Sequence, residues 1–83
     1  MKKVTSNFKV GEVYADFPSN EYSTAYFTFV SHNSDRSFFK FIGGGNCYLQ
    51  DKDGLYQFYY PSEFWKLSTE ETNDLVAKGV IKL

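Results

Sequence analysis

The sequence predicts an α+β fold: about five short antiparallel strands in a curved sheet or a small SH3-like or OB-like barrel, followed by one C-terminal helix. Three observations lead to this prediction. Short aromatic and β-branched runs recur along residues 1–66, turn residues separate them, and residues 67–83 change to a helical pattern with both ends marked. We expect the whole chain, 1–83, to form a single domain, because a chain of this size buries roughly 60% of its surface around one modest core.

Five runs are predicted to be strands, and turn residues bound each of them. The clearest is "TAYFTFVS" (24–31), which is rich in aromatic and β-branched residues. The others are "KVGEVYA" (9–15), "SFFKFI" (37–42), "CYLQ" (47–50) and "LYQFYY" (55–60). The connections are "FPSNE" (17–21), "HNSDR" (32–36), "GGGN" (43–46) and "DKDG" (51–54). Gly, Pro, Asn, Asp and Ser favour turns, so this spacing is typical of hairpins in an antiparallel sheet.

The C-terminal stretch "LSTEETNDLVAKGVIKL" (67–83) predicts a helix and a short tail. Ser68 is a favourable N-cap, and Glu71, three residues later, completes a capping box. Gly79 suits the left-handed position that follows a helix end. Leu75 is expected to face the sheet, so the helix covers one sheet face.

Alternation of side chains along each strand divides the aromatic residues between two sheet faces. Lys40 and Gln57 are expected to mark the outer face. The set predicted to form a core beneath the helix is Ala25, Phe27, Phe29, Phe39, Phe41, Cys47, Leu49, Tyr56, Phe58 and Tyr60. The set predicted to stand on the outer face, and to bind a partner, is Tyr26, Phe38, Lys40, Tyr48, Gln57 and Tyr59.

An excess of aromatic area supports a partner-binding outer face. Tyr, Phe and Trp number 7, 9 and 1, and at ~200 Å² each they need about 3,400 Å² of burial. That is more than a third of the roughly 9,000 Å² that a fold of this size buries. Some rings are therefore expected at the surface. The competing explanation, which the sequence leaves open, is that a curled barrel or the 17–21 loop covers them.

The charge and cysteine content restrict the kinds of partner. The net charge is −1 and acidic and basic residues are interspersed, which disfavours a phosphate-backbone binder. The lone Cys47 excludes an internal disulfide and favours a reducing, cytoplasmic setting. No run approaches the ~18 apolar residues of a membrane span, so we expect no membrane association.

The candidate motifs for chemistry have simpler structural explanations. Cys47 and His32 lie on different predicted elements without a surrounding catalytic signature. "FIGGGNC" lacks the Lys and the helix of a phosphate-binding loop and is more typical of a hairpin turn with positive φ angles. "DKDG" lacks the later ligands of a calcium loop and is a hairpin signal. We therefore expect no enzyme activity, no metal and no cofactor.

The preferred interpretation is a small non-enzymatic binding protein that docks a partner protein through its outer aromatic face. Lys40, Gln57 and Arg36 would orient the partner through hydrogen bonds. A small chain without catalytic residues is typical of a phage or mobile-element accessory protein that inhibits or redirects a host enzyme, in which case it would act in the host cytoplasm.

Two alternatives use the same rings. "SFFKFIGG" and "YFTFVSH" are similar to the aromatic strands with which cold-shock and RRM modules stack bases, although the interleaved glycines of RNP1 and clustered lysines are absent. The first alternative is therefore a single-stranded nucleic-acid or nucleotide binder. The second is a homodimer closed through the same face.

Overall fold

The computed structural model describes residues 1–4, 7–16, 20, 22–33, 35–52, 55–58 and 64–83, with the backbone alone described for 49–52 and 55–58. Along these ranges the elements are β1 (Lys2–Val4), β2 (Val13–Ala15), β3 (Tyr26–Asn33), β4 (Arg36–Phe41), β5 (Asn46–Lys52), β6 (Leu55–Phe58), β7 (Phe64–Lys66) and α1 (Thr69–Ala77). The strands form one sheet in the order β1-β7-β2-β3-β4-β5-β6. Neighbouring strands are antiparallel throughout, which confirms the predicted α+β fold.

The sheet contains more strands than the sequence predicts, and it is open. In the described part of the chain there are seven strands rather than about five, because β1 and β7 pair with each other and β7 continues the sheet to β2. These two strands have three residues each, which is too short to show a clear alternation in the sequence. In the described strand order β1 and β6 stand at opposite ends of the sheet, so the strands do not close into a barrel.

The long β3–β4 hairpin bends at a β-bulge. Phe29 pairs with Phe39, but the next pair is Ser31 with Phe38, so Val30 is an extra residue on β3. A bulge bends its strand and increases the local twist. The part of the hairpin beyond Val30 is therefore turned relative to the part that contains Tyr26.

The β4–β5 connection depends on glycine, as predicted. Gly43, Gly44 and Gly45 have φ angles of 109°, 121° and 92°, which side-chain-bearing residues rarely adopt. The Phe41 N–H donates to the Gly45 carbonyl over 3.0 Å and closes the turn. This tight connection places β5 directly beside β4.

The helix begins and ends at the predicted signals. The Ser68 Oγ accepts from the Glu71 N–H over 3.1 Å, and the Ser68 N–H donates to the Glu71 carboxylate over 3.0 Å, which completes the capping box. Gly79 has a φ of 75°, and the Val80 N–H donates to the Leu75 carbonyl over 2.9 Å. This is the Schellman arrangement, which stabilises helix ends. No helix in the described ranges is long and apolar enough to span a bilayer.

Each sheet face has its own apolar cluster. On one face, which we call the helix face, Leu75 of α1 and Ile81 of the tail pack on sheet residues. The buried members of this cluster are Val13, Ala15, Tyr26, Leu67, Leu75 and Ile81. On the opposite face, which we call the aromatic face, the buried members are Tyr14, Phe27, Phe39 and Phe64.

Phe8 covers the aromatic face. Its ring centroid lies 4.9 Å from that of Phe39 and 5.5 Å from that of Phe64, both in edge-to-face geometry. Asn7 has a φ of 60°, and asparagine tolerates this left-handed conformation better than most residues. The Lys9 N–H donates to the Tyr14 phenol oxygen over 2.9 Å, which satisfies that buried hydroxyl. The segment before β2 therefore turns onto the sheet as an aromatic cover.

The prediction that the core set containing Phe27 and Phe39 lies beneath the helix is wrong. Phe27 and Phe39 are fully buried, as predicted, but they lie on the face opposite α1 and are covered by Phe8. Alternation along a strand shows which residues share a face. It contains no information on which face a later helix contacts. The predictions for Leu49, Tyr56, Phe58 and Tyr60 lie outside the described side chains.

Neighbouring phenylalanines on β4 provide a test of this two-faced core. Phe39→Ala is expected to lower the free energy of unfolding by about 3–5 kcal/mol, because it empties the centre of the aromatic cluster. Phe38→Ala is expected to cost about 1 kcal/mol, because Phe38 is only half-buried on the other face. Urea unfolding followed by circular dichroism measures both values. Equal losses for the two variants would contradict the difference in burial between these neighbouring rings.

Candidate binding surface

The strand register brings together part of the predicted binding set. Phe38 pairs with Tyr48, and Lys40 lies two residues from Phe38 on the same face of β4. The Gln57 backbone pairs with Gln50, while the Gln57 side chain and all of Tyr59 lie outside the description. Phe38, Lys40 and Tyr48 are thus shown to share one face, as predicted.

The prediction that Tyr26 is exposed on the outer face is wrong. Tyr26 does share this face, but it is only 5% exposed and belongs to the cluster beneath α1. The reason is that the helix docks on the face that was expected to be open. Its docking position is limited to the end of the face formed by Val13, Ala15 and Tyr26. Tyr26 is therefore a core residue and is unavailable to a partner.

The other end of the helix face carries a compact surface that we call the open patch, formed by Arg36, Phe38, Lys40 and Tyr48. The Phe38 and Tyr48 ring centroids are 6.2 Å apart. The Arg36 guanidinium carbon lies 5.1 Å from the Tyr48 ring centroid, within range of a cation–π contact. Tyr48 is 45% exposed, and Arg36 and Lys40 are also exposed. The patch therefore presents an aromatic pair with a cation stacked on its outer ring.

Local structure positions the open patch. The glycine turn after β4 sets the register that pairs Phe38 with Tyr48. The bulge at Val30 places Ser31 opposite Phe38 on the same face. Without the extra residue, Val30 would pair with Phe38 there. The bulge lies beside the open patch itself, between the level of Lys40, which pairs with Thr28, and that of Phe38, which pairs with Ser31. Sequence alternation identified the rings, but it contained no signal for the bulge.

A small cleft adjoins the open patch at Lys40. It has a volume of about 220 Å³, and Thr28, Lys40, Ile42 and the tail residues Lys82 and Leu83 are among the residues that line it. The tail therefore adds a second lysine beside Lys40. The sequence carries no signal for this role of Lys82, because it comes near β4 only through the return of the chain after α1.

The groups considered for chemistry are not arranged as a catalytic pair. Cys47 pairs with Phe39 on β4, whereas His32 on β3 pairs with Ser37. Strand β4 lies between them, so their backbones are about 10 Å apart, well beyond the reach of a nucleophile and its base. A separate cavity of about 210 Å³ lies beside His32 and Ser37, under Phe8. Among the described residues no group of three His, Cys, Asp or Glu side chains is placed to hold a metal.

No protein-family model, curated protein or solved structure matches this chain. The function must therefore be inferred from the residues of the open patch.

The thiol of Cys47 gives a test of packing on the aromatic face. Burial raises its pKa from 9.0 to about 11. Below pH 9 the folded protein is therefore expected to react with iodoacetamide about 100-fold more slowly than the unfolded chain, because only the thiolate reacts. Mass spectrometry of timed samples, with Cys47→Ser as the blank, measures the two rates. Similar rates in the folded and unfolded chains would contradict burial of this thiol.

Proposed function

We propose that this chain is a non-enzymatic binding protein that docks a partner protein through the open patch. The observation that supports the proposal is the contact of Tyr48 with both the Arg36 guanidinium and the Phe38 ring, on a part of the sheet where Tyr48 remains exposed. Tyr and Arg are enriched among the residues that dominate binding energy at protein interfaces. A tyrosine also supplies a large contact area at a low cost in conformational entropy.

The contacts within the open patch favour binding by a prepared surface. The Arg36 contact and the Phe38 ring both restrict the Tyr48 side chain before a partner arrives. Restricting a contact residue in advance reduces the entropy lost on association. Tyr48 would then enter an apolar depression on the partner, while Lys40 contributes a charged contact at the edge.

The cellular role would be that of an accessory protein. Docking at a functional surface of an enzyme would inhibit or redirect that enzyme without any chemistry by this chain. A phage or mobile-element origin would fit this role, with the host cytoplasm as the site of action. A lone half-buried cysteine is compatible with that reducing compartment.

Single-stranded nucleic acid is the second candidate occupant. Arg36 and Lys40 flank two rings on which bases could stack, and stacking with backbone neutralisation is how many single-strand binders work. This candidate requires affinity that falls as salt rises. A homodimer through the open patch is a third outcome, which light scattering detects as a doubled mass.

A photo-crosslinking residue at position 48 tests the proposal. In the native cell it is expected to capture one specific protein, and the same residue at position 22 is expected not to. Tyr22 is the matched control because it is a turn tyrosine with 74% exposure, outside the open patch. Mass spectrometry identifies the captured protein, which is then purified for binding measurements.

With the purified partner, Tyr48→Ala is expected to weaken binding about 30-fold, the loss of a typical interface hot spot. Tyr22→Ala is expected to change affinity by less than about twofold, since surface contacts outside a hot spot are nearly neutral. Equal affinity for Tyr48→Ala and the wild type, or capture of the same proteins from both positions, would refute docking through the open patch.

A further inference from the structure

Acidic and basic residues are interspersed along the sequence, but the described cations of the central strands lie together on one face of the sheet. The described side chains of β3, β4 and β5 include Arg36 and Lys40 and no carboxylate. Both cations lie on the helix face, at the open patch, whereas His32 pairs with Ser37 on the aromatic face. Among their described side chains, these strands of a chain with a net charge of −1 therefore form a locally cationic surface.

The cations of the open patch are not neutralised by the described part of the protein. No ion pair joins Arg36 or Lys40 to a described carboxylate, including that of the neighbouring Asp35. Elsewhere on the surface Lys78 pairs with Asp74 over 2.9 Å, and Lys66 approaches Glu12 at 3.7 Å. Within the described part of the chain, the positive potential of Arg36 and Lys40 is therefore available to a partner.

Lys82 extends this cationic character beyond the sheet. It lines the same 220 Å³ cleft as Lys40, and no Asp or Glu side chain is among the described residues that line that cleft. Arg36 and Lys40 therefore flank Phe38 along β4, and Lys82 adds a third cation at the cleft beside Lys40. A partner that receives Tyr48 must avoid placing positive charges opposite these cations, because like charges there would oppose docking.

We infer that the partner surface is acidic: an apolar depression that receives Tyr48, bordered by carboxylates that face Arg36, Lys40 and Lys82. This inference rests on the proposed function and adds the chemistry of the partner to it. Each carboxylate would accept hydrogen bonds from a cation, and the Arg36 guanidinium can donate them while stacked on the Tyr48 ring. Complementary charge of this kind raises the association rate and fixes the orientation of docking.

The same charges favour an acidic protein over a nucleic acid. Neutralising about three phosphates would change single-strand affinity only about 20-fold between 50 and 200 mM salt, which marks a weak electrostatic contribution. The net charge of −1 would also oppose a long polyanion. A protein needs only a few local carboxylates, and the two rings supply the apolar part of the contact.

Two soluble probes test the inference on the purified chain before any partner is identified. These are poly-L-glutamate and an oligo-dT of equal charge, each titrated into isotope-labelled protein and followed by amide chemical shifts. Poly-L-glutamate is expected to shift the amides of β4 and residues 46–48. Arg36→Glu with Lys40→Glu is expected to weaken this binding about tenfold or more, because two attractions become repulsions.

The matched control reverses two exposed lysines outside the open patch. Lys2→Glu with Lys9→Glu changes the net charge by the same amount, and its binding of poly-L-glutamate is expected to stay close to wild type. Absence of shifts at the open patch, or equal losses in both double variants, would overturn the inference. Tighter binding of oligo-dT than of poly-L-glutamate at the patch would overturn it in favour of nucleic acid.

The captured partner separates this inference from the proposed function. If Arg36→Glu with Lys40→Glu weakens binding of a partner that crosslinks at position 48, the proposed function and the acidic partner surface are both supported. If that partner binds the charge-reversed variant as tightly as the wild type, docking through the open patch stands and its acidic partner surface is refuted. If position 48 captures nothing specific, the proposed function fails, whatever the probes show.

Discussion

Both faces of the sheet are apolar, and the covering of each face determines the rest of the structure. On the aromatic face the Phe8 ring packs against Phe39 and Phe64, so the segment before β2 covers part of this face. That leaves α1 to the other face. A helix of nine residues is about 14 Å long, and its Leu75 packs in the cluster that contains Tyr26. The helix therefore covers Tyr26 and leaves Phe38 and Tyr48 open.

Local signals in the sequence predicted local structure well. Ser68 with Glu71 marked the helix start and Gly79 its end, because capping depends on side chains within a few residues of one another. The three glycines likewise predicted the turn between β4 and β5. Alternation along the strands correctly placed Phe38, Lys40 and Tyr48 on one face, since that property follows from the pleat of each strand.

The remaining features depend on contacts between distant segments. Phe8 packs on one sheet face and Leu75 on the other, and the strand patterns do not show which of the two faces the helix contacts. Tyr26 was therefore placed correctly on its face but wrongly at the surface. The bulge at Val30 was equally hidden, because an extra residue in one strand shows only when its partner strand is aligned beside it. Lys82 approaches Lys40 only in the folded chain.

The open patch combines two requirements of a binding surface in few residues. Phe38 and the Arg36 guanidinium restrict Tyr48, and the cations that no described carboxylate neutralises select the charge of what approaches it. The first property lowers the entropic cost of contact, and the second favours one class of partner. Both depend on the same fact, that the helix stops short of β4 and β5.

Tyrosine nitration of the native protein with tetranitromethane tests this uneven cover most directly. Tyr22 and Tyr48, which are 74% and 45% exposed, are expected to be nitrated in the folded chain. Tyr14 and Tyr26, at 1% and 5%, should react only after unfolding. Peptide mass spectrometry distinguishes the four sites. Protection of Tyr48, or nitration of Tyr26 at the rate of Tyr48, would contradict a helix that covers one end of its face and leaves the other open.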